Sequence, residues 1–266
     1  MKQLIFLIFL LFSSVASAES PEEMFNQGVK LYRRGNQAEA VALFDKACNK
    51  GVIQACFNAG IYYSNSKSTD DVKATLLFEK ACEGGIIKAC FNAGIYYDKG
   101  KGVKKDLGKA GEFYKKACEF NTFEACFNLG RIYEFIQDYE PAIKAYDKAC
   151  KADILLSCAN LAALYEQKKD YLQAFQLYEK TCKADMLETC FNLGVFYEEG
   201  RGLEKDLEKA NNFYEKACYA NFAKGCFNLA ASYNNGEGVK KNKSQAKYFF
   251  SKACDLGYKE GCKHTR

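Results

Sequence analysis

The sequence predicts an all-α protein, an α-solenoid (superhelix) of seven helical hairpins each clamped by one disulfide, and three observations carry that prediction. The 14 cysteines of the 266-residue chain fall into seven pairs, and every pair is Cys-x7-Cys. The first members, Cys48, Cys82, Cys118, Cys150, Cys182, Cys218 and Cys254, are spaced by 34, 36, 32, 32, 36 and 36 residues, which is the period of a helical repeat array. Around each pair the apolar residues recur at helical rather than strand spacing, and only 2 prolines interrupt the whole chain.

Taken in order, residues 1–18 read as an export signal. Lys2 gives a basic start, Leu4 to Phe12 is an unbroken apolar run, and Ala16-Ser17-Ala18 supplies the small residues of a cleavage site. The run is too short to span a bilayer. The expected mature chain is 19–266, secreted or periplasmic, with no stable membrane insertion.

Each repeat then reads as two helices. In the fourth, Cys126, Gly130 and Tyr133 make an i, i+4, i+7 stripe, and Ala142, Ala145, Tyr146 and Ala149 make the facing one. The link between the two helices is a glycine-rich turn in three repeats (Gly100 to Val103, Gly200 to Leu203, Gly236 to Val239) and a tight Gln137-Asp138 or Lys169-Asp170 in two others. Length variation therefore falls in this link. Met24-Phe25-Asn26-Gln27-Gly28 opens the array without a cysteine, and Cys262 pins a short tail at its end.

Composition excludes several functions. A net charge of +5 spread along the chain is too little for a nucleic-acid grip. A single histidine, His264, excludes most imidazole-based catalysis and most His-bearing zinc chemistry. No cofactor and no metal are expected, and the chain reads as a monomer.

The phrases Asn128-Leu129-Gly130-x-x-Tyr133 and Lys148-Ala149-Cys150, recurring with their variants through 22–266, resemble Sel1-like repeats, relatives of the tetratricopeptide repeat. With Cys-x7-Cys in every repeat, the chain closely resembles the Helicobacter cysteine-rich proteins. That resemblance implies an interaction scaffold, and it also implies penicillin binding or slow β-lactamase activity, with β-lactam or peptidoglycan-like ligands.

Geometry fixes how the cysteines pair. Eight residues along one helix span ~12 Å, whereas bridged Cα atoms lie ~4.4–6.8 Å apart. A bridge within each pair requires the chain to reverse between its members, and segments such as Glu83-Gly84-Gly85-Ile86 allow it. The expected bridges are Cys48–Cys56, Cys82–Cys90, Cys118–Cys126, Cys150–Cys158, Cys182–Cys190, Cys218–Cys226 and Cys254–Cys262. A zinc site would favour Cys-x2-4-Cys spacing, and a redox motif would need Cys-x-x-Cys.

A serine hydrolase of the β-lactamase type needs Ser-x-x-Lys with Ser-Asp-Asn and Lys-Thr-Gly elements. Only the first is present, at Ser64/Lys67 and Ser244/Lys247. Ser244 reads as a helix N-cap and Ser64 as part of a solvated loop, so these are weak catalytic candidates.

The candidate binding residues are instead an asparagine ladder: Asn26, Asn58, Asn92, Asn128, Asn160, Asn192 and Asn228, one in every repeat. An amide offers both donors and an acceptor to a peptide bond. The alternative role for each amide is a hydrogen bond to the neighbouring repeat. Phe25, Phe57, Phe91, Phe127, Phe191 and Phe227 form an adjacent row broken by Ala159, either core packing or the floor of a groove. Arg131 is the expected ionic contact. The function expected is capture of a protein or peptide in a concave groove, with β-lactam hydrolysis as the alternative.

Overall fold

The computed structural model describes residues 19–65 and 70–264. The expected export signal, residues 1–18, and Lys67 lie outside the described residues. All regular structure among the described residues is helical. The elements are α1 (Pro21–Arg33), α2 (Gln37–Asn49), α3 (Ile53–Asn65), α4 (Asp71–Glu83), α5 (Ile87–Lys99), α6 (Leu107–Glu119), α7 (Phe123–Phe135), α8 (Tyr139–Lys151), α9 (Leu155–Gln167), α10 (Tyr171–Lys183), α11 (Leu187–Glu199), α12 (Leu207–Tyr219), α13 (Ala223–Asn235), α14 (Lys243–Asp255) and the single turn α15 (Lys259–Cys262). They group into two compact units: α1–α5, up to Asp106, and α6–α15, from Leu107 onward.

The helices begin where side chains can satisfy their free amides. Ser20 and Glu23 form a reciprocal capping box ahead of α1, with Pro21 at its first position. Asp70, Asp170 and Asp206 accept from the backbone of α4, α10 and α12. The cap of α14 is Asn242, whose Oδ1 accepts from Ser244 N and Gln245 N at 3.1 Å each. Ser244 is therefore not the cap: it sits inside the first turn, because the asparagine two residues earlier already holds the amides. Ser64 also departs from expectation. It lies in the last turn of α3, half-buried, and its hydroxyl donates to Ile61 O at 2.8 Å.

Every second helix ends the same way. The third residue after the first cysteine is left-handed: Gly51, Gly85, Asn121, Asp153, Asp185, Asn221 and Gly257. Its N–H donates to the cysteine carbonyl, and the next N–H reaches back five residues, as in Val52 N to Ala47 O at 3.0 Å. This is a Schellman ending, and Gly, Asn and Asp are the residues that accept its backbone at least cost. The reversal brings the cysteines together: all seven expected bridges are present, with Cα–Cα distances of 4.5–4.8 Å.

The tight links use the same turn with less suitable residues. Gln137 has φ 62° and Lys169 φ 63°, a backbone that costs a side-chain-bearing residue roughly 1–2 kcal/mol. Lys169 is exposed. Lys169→Gly is therefore expected to stabilise the oxidised protein by about 1 kcal/mol, read as a higher urea midpoint at unchanged slope.

Small residues let the helices approach. In the first unit Ala40, Ala47, Ala74 and Ala81 are fully buried, and in the second Ala142, Ala149, Ala174, Ala217 and Ala253. Large rings fill the space between: Phe44 and Phe78 in the first unit, Tyr146, Tyr178 and Tyr214 in the second. Gly130 and Gly194 make room for two of these rings, since a Cβ there would lie 2.5 Å and 2.4 Å from the Tyr146 and Tyr214 carbons. That close approach is the physical content of the Asn-Leu-Gly phrase.

Candidate polar face of the repeats

In the second unit the asparagines Asn128, Asn160, Asn192 and Asn228 lie one each on α7, α9, α11 and α13, all half-buried. The tyrosine of the preceding second helix reaches across to Asn160, Asn192 and Asn228. Tyr146 Oη donates to Glu134 Oε2 at 2.6 Å and accepts from Asn160 Nδ2 at 3.1 Å. Tyr178 is placed alike between Glu166, which it reaches at 2.7 Å, and Asn192. Tyr214 lies between Glu198 and Asn228. Each phenol thus joins an acid of its own hairpin to an amide of the next.

Asn58 and Asn128 have different partners. Asn58 Oδ1 accepts from Gln54 Nε2 at 3.1 Å, and Asn128 Oδ1 accepts from an Arg131 guanidinium N–H at 3.4 Å. The structure therefore brings Arg131 beside Asn128. The ring opposite Asn58 is Phe44 and the ring opposite Asn92 is Phe78, neither with a hydroxyl to offer. The alternatives for the ladder are not exclusive in the second unit: one N–H ties the amide to the neighbouring repeat, while a second N–H and the Oδ1 remain.

Burial is the largest influence on Tyr146, Tyr178 and Tyr214, and it raises each phenol well above its ordinary value; the hydrogen bond to a carboxylate raises it further. For a group whose folded value is raised, the stabilisation is complete below the unfolded value of about 10 and fades as pH rises above it. Of the 18 tyrosines, these three are expected to stay protonated after the exposed ones ionise, then titrate together with loss of helical signal. Absorbance at 295 nm and circular dichroism followed on the same samples check this. A Tyr178→Phe variant should leave one fewer late-titrating group.

The phenylalanine row packs inward on the rings: Phe57 on Phe78 with centroids 6.2 Å apart, Phe127 on Tyr146 at 6.0 Å, Phe191 on Tyr214 at 5.6 Å and Phe227 on Phe250 at 5.3 Å. Its members are half-buried. A lysine contact accompanies it that sequence reading missed. Lys80 Nζ donates to Cys48 O at 2.9 Å, Lys148 to Cys118 O at 2.6 Å, Lys180 to Cys150 O at 3.3 Å and Lys216 to Cys182 O at 3.2 Å. Each ammonium thereby meets the negative end of the preceding second helix. Arg201 adds one ion-pair node, contacting Glu166 and, at 2.5 Å, Glu199.

Of the serine candidates, only Ser244 has its lysine among the described residues. Ser244 and Lys247 are exposed on the first turns of α14, and the Ser64 hydroxyl is already engaged in α3.

Paired helices, a disulfide at the reversal from each second helix into the next and one polar residue per repeat define a class: a disulfide-clamped helical-repeat scaffold. The Sel1 repeat matches residues 23–52, 53–86, 87–119, 155–186, 187–222 and 223–258, and a tetratricopeptide repeat matches 123–153. The chain belongs to the Sel1 repeat family. It is similar to a Helicobacter pylori (strain J99) relative named "Putative beta-lactamase HcpE", 43% identical over 42 residues, which is 16% of this chain and 12% of that protein. Among solved structures it is similar to c5321, a protective antigen of uropathogenic Escherichia coli, with TM-score 0.75 and 27% identity. That match covers 92% of this chain, which spans about half (56%) of the antigen. It shares its fold with YrrB, a TPR protein with an unusual peptide-binding site, at TM-score 0.50 and 20% identity, covering 68% of this chain and 92% of that one. No helix among the described residues is long and apolar enough to cross a membrane. Seven disulfides mark a chain that folds outside the reducing cytosol.

Proposed function

We propose that the second unit binds an extended peptide segment of a protein partner along the face bearing Asn128, Asn160, Asn192 and Asn228. The single observation that carries this is the Glu–Tyr–Asn relay, repeated at Tyr146, Tyr178 and Tyr214. By engaging one N–H of the amide, the phenol holds the asparagine side chain in place before any ligand arrives. A peptide group meeting the remaining donor and acceptor then loses little ordering entropy, and the bridges extend that rigidity to the backbone. Stacked repeats present such surfaces as a general consequence of their architecture.

The test is an Asn128→Ala/Asn192→Ala variant, probed with peptides selected from a displayed library on the unaltered oxidised protein. The expected result is binding weakened about tenfold or more, with helicity retained. Selected peptides that bind the variant equally well would remove the asparagines from the interface.

Residues 1–18 fit this reading as a cleaved secretory signal delivering the chain to the periplasm or beyond, with Glu19 as the first residue of the exported form. N-terminal sequencing of the exported protein tests it. The name of HcpE supports a second reading, hydrolysis of β-lactams. Turnover by the oxidised protein that disappears in Ser64→Ala or Ser244→Ala would establish it.

A further inference from the structure

The first hairpin breaks the relay in both of its partners. Where Glu134, Glu166 and Glu198 stand in the second unit, the first hairpin has Tyr32, and the ring facing it is Phe44 rather than a tyrosine. A cavity of about 270 Å³ opens here between α1 and α3. Val29, Tyr32, Phe57 and Ile61 make its walls, with Arg33 and Asn58 as its polar groups. Its chemistry is one-sided. Lys30 and Arg33 occupy the last turn of α1 and Arg34 follows directly, and among the described residues Arg33 meets no carboxylate. Asn58 accepts from Gln54 through its Oδ1, and Phe44 has no hydroxyl to engage the amide N–H groups as Tyr146 does for Asn160.

An apolar hollow with one guanidinium and one amide N–H pair at its rim is complementary to a small amphipathic anion. The volume lies just below that of sites for drug-sized ligands, so the ligand is fragment-sized. We propose that this cavity binds a small free carboxylic acid with an aromatic or branched apolar body, the carboxylate on Arg33 and Asn58 and the body against Tyr32, Phe57 and Ile61. This site is separate from the peptide face assigned to the second unit, and each can fail without the other.

The experiment is titration of the oxidised, isotope-labelled chain with 3-phenylpropionate, followed by amide and side-chain shifts. The neutral 3-phenylpropionamide and acetyl-Ala-Ala-Phe with a free C-terminus serve as the other arms. Saturable shifts confined to α1 and α3 are expected for the acid, with a Kd of about 1 mM or below, and about tenfold weaker binding for the amide. Arg33→Met keeps the stem and the fold of an exposed helix end, and it should bring the acid down to the level of the amide. Ile61→Trp should fill the hollow and abolish both. Equal affinity for acid and amide, no saturation by 10 mM (about tenfold above the expected Kd), or an Arg33→Met variant that binds as before would overturn the proposal. A tripeptide that binds about tenfold more tightly than the free acid would overturn it too, since the ligand would then be a chain end.

Discussion

Replacing Cys150 and Cys158 together by alanine is expected to destabilise the oxidised protein by about 2.6 kcal/mol, the chain-entropy value for a loop of this length. Both sulfurs are buried, Cys158 completely, and the bridge joins α8 to α9 at a corner already closed by the Asp153 and Ile154 backbone bonds. The turn is therefore expected to survive while its competitors in the unfolded chain multiply. Loss should be local first, because each repeat holds chiefly to its neighbours. Hydrogen exchange is the measurement of choice: amides of α8, α9 and α10 should lose protection before those of α13 and α14. The same double replacement at Cys254 and Cys262 frees only the single turn α15. It should leave the protection of α8 to α10 unchanged. Equal loss everywhere would mean that the second unit unfolds as one block.

Gly238→Ala is expected to cost more, about 3–4 kcal/mol. Gly238 has φ 66°, and a Cβ built on it lies 2.4 Å from the carbonyl carbon of Leu207, the first residue of α12. The left-handed backbone costs an alanine roughly 1–2 kcal/mol, and forcing an atom into packed backbone adds about 1–3 kcal/mol. Asn211 Nδ2 donates to Glu237 O at 2.7 Å beside it, so any retreat of the loop also breaks that bond. Gly236 is the internal control. Its φ is 81°, but the nearest atom to its Cβ is a Lys241 side-chain carbon at 3.2 Å. Gly236→Ala should cost about 1 kcal/mol, the backbone penalty alone. Urea unfolding of the two variants separates them, and similar midpoints would refute the steric argument.

The fold was legible because the cysteine period, the paired helical stripes and the link lengths are all local in sequence. Bridge partners were legible because each Cys-x7-Cys pair flanks a segment, such as Glu83 to Ile86, that lets the chain reverse between its members. The N-cap of α14 is ambiguous in the sequence for an equally local reason. Asn242 and Ser244 are both good caps, and only the backbone shows which one has the extended conformation a cap needs. The polar residues that follow Ser64 carry a loop signal, although α3 runs one residue past it.

The relay was not found, yet its trace is present. Tyr146, Tyr178 and Tyr214 follow an acid 12, 12 and 16 residues earlier, whereas Phe44, Phe78 and Phe250 follow Tyr32, Ser64 and Asn234 at comparable offsets. Hydroxyl and carboxylate thus occur together or not at all in these hairpins. Periodicity arguments compare residues within one helix, while the relay spans three helices and its offset changes with the link. The lysine contacts to Cys48, Cys118, Cys150 and Cys182 were hidden for the same reason, since a backbone carbonyl leaves no mark on the sequence.

The two kinds of reversal give the chain unequal freedom to change length. At the bridged corner, from Cys150 to Cys158, the Schellman turn and the disulfide specify the same few residues. One inserted residue would turn the following cysteine about 100° around its helix and away from its partner. The opposite link already exists in short and glycine-rich versions among neighbouring hairpins of the second unit, at Gln137 and at Gly200 to Asp206. Insertions, tags and labels should therefore be tolerated at Lys168–Asp170 and rejected at Ala152–Ile154, so that a library of random insertions would return a map with a permissive and a forbidden site alternating along the chain.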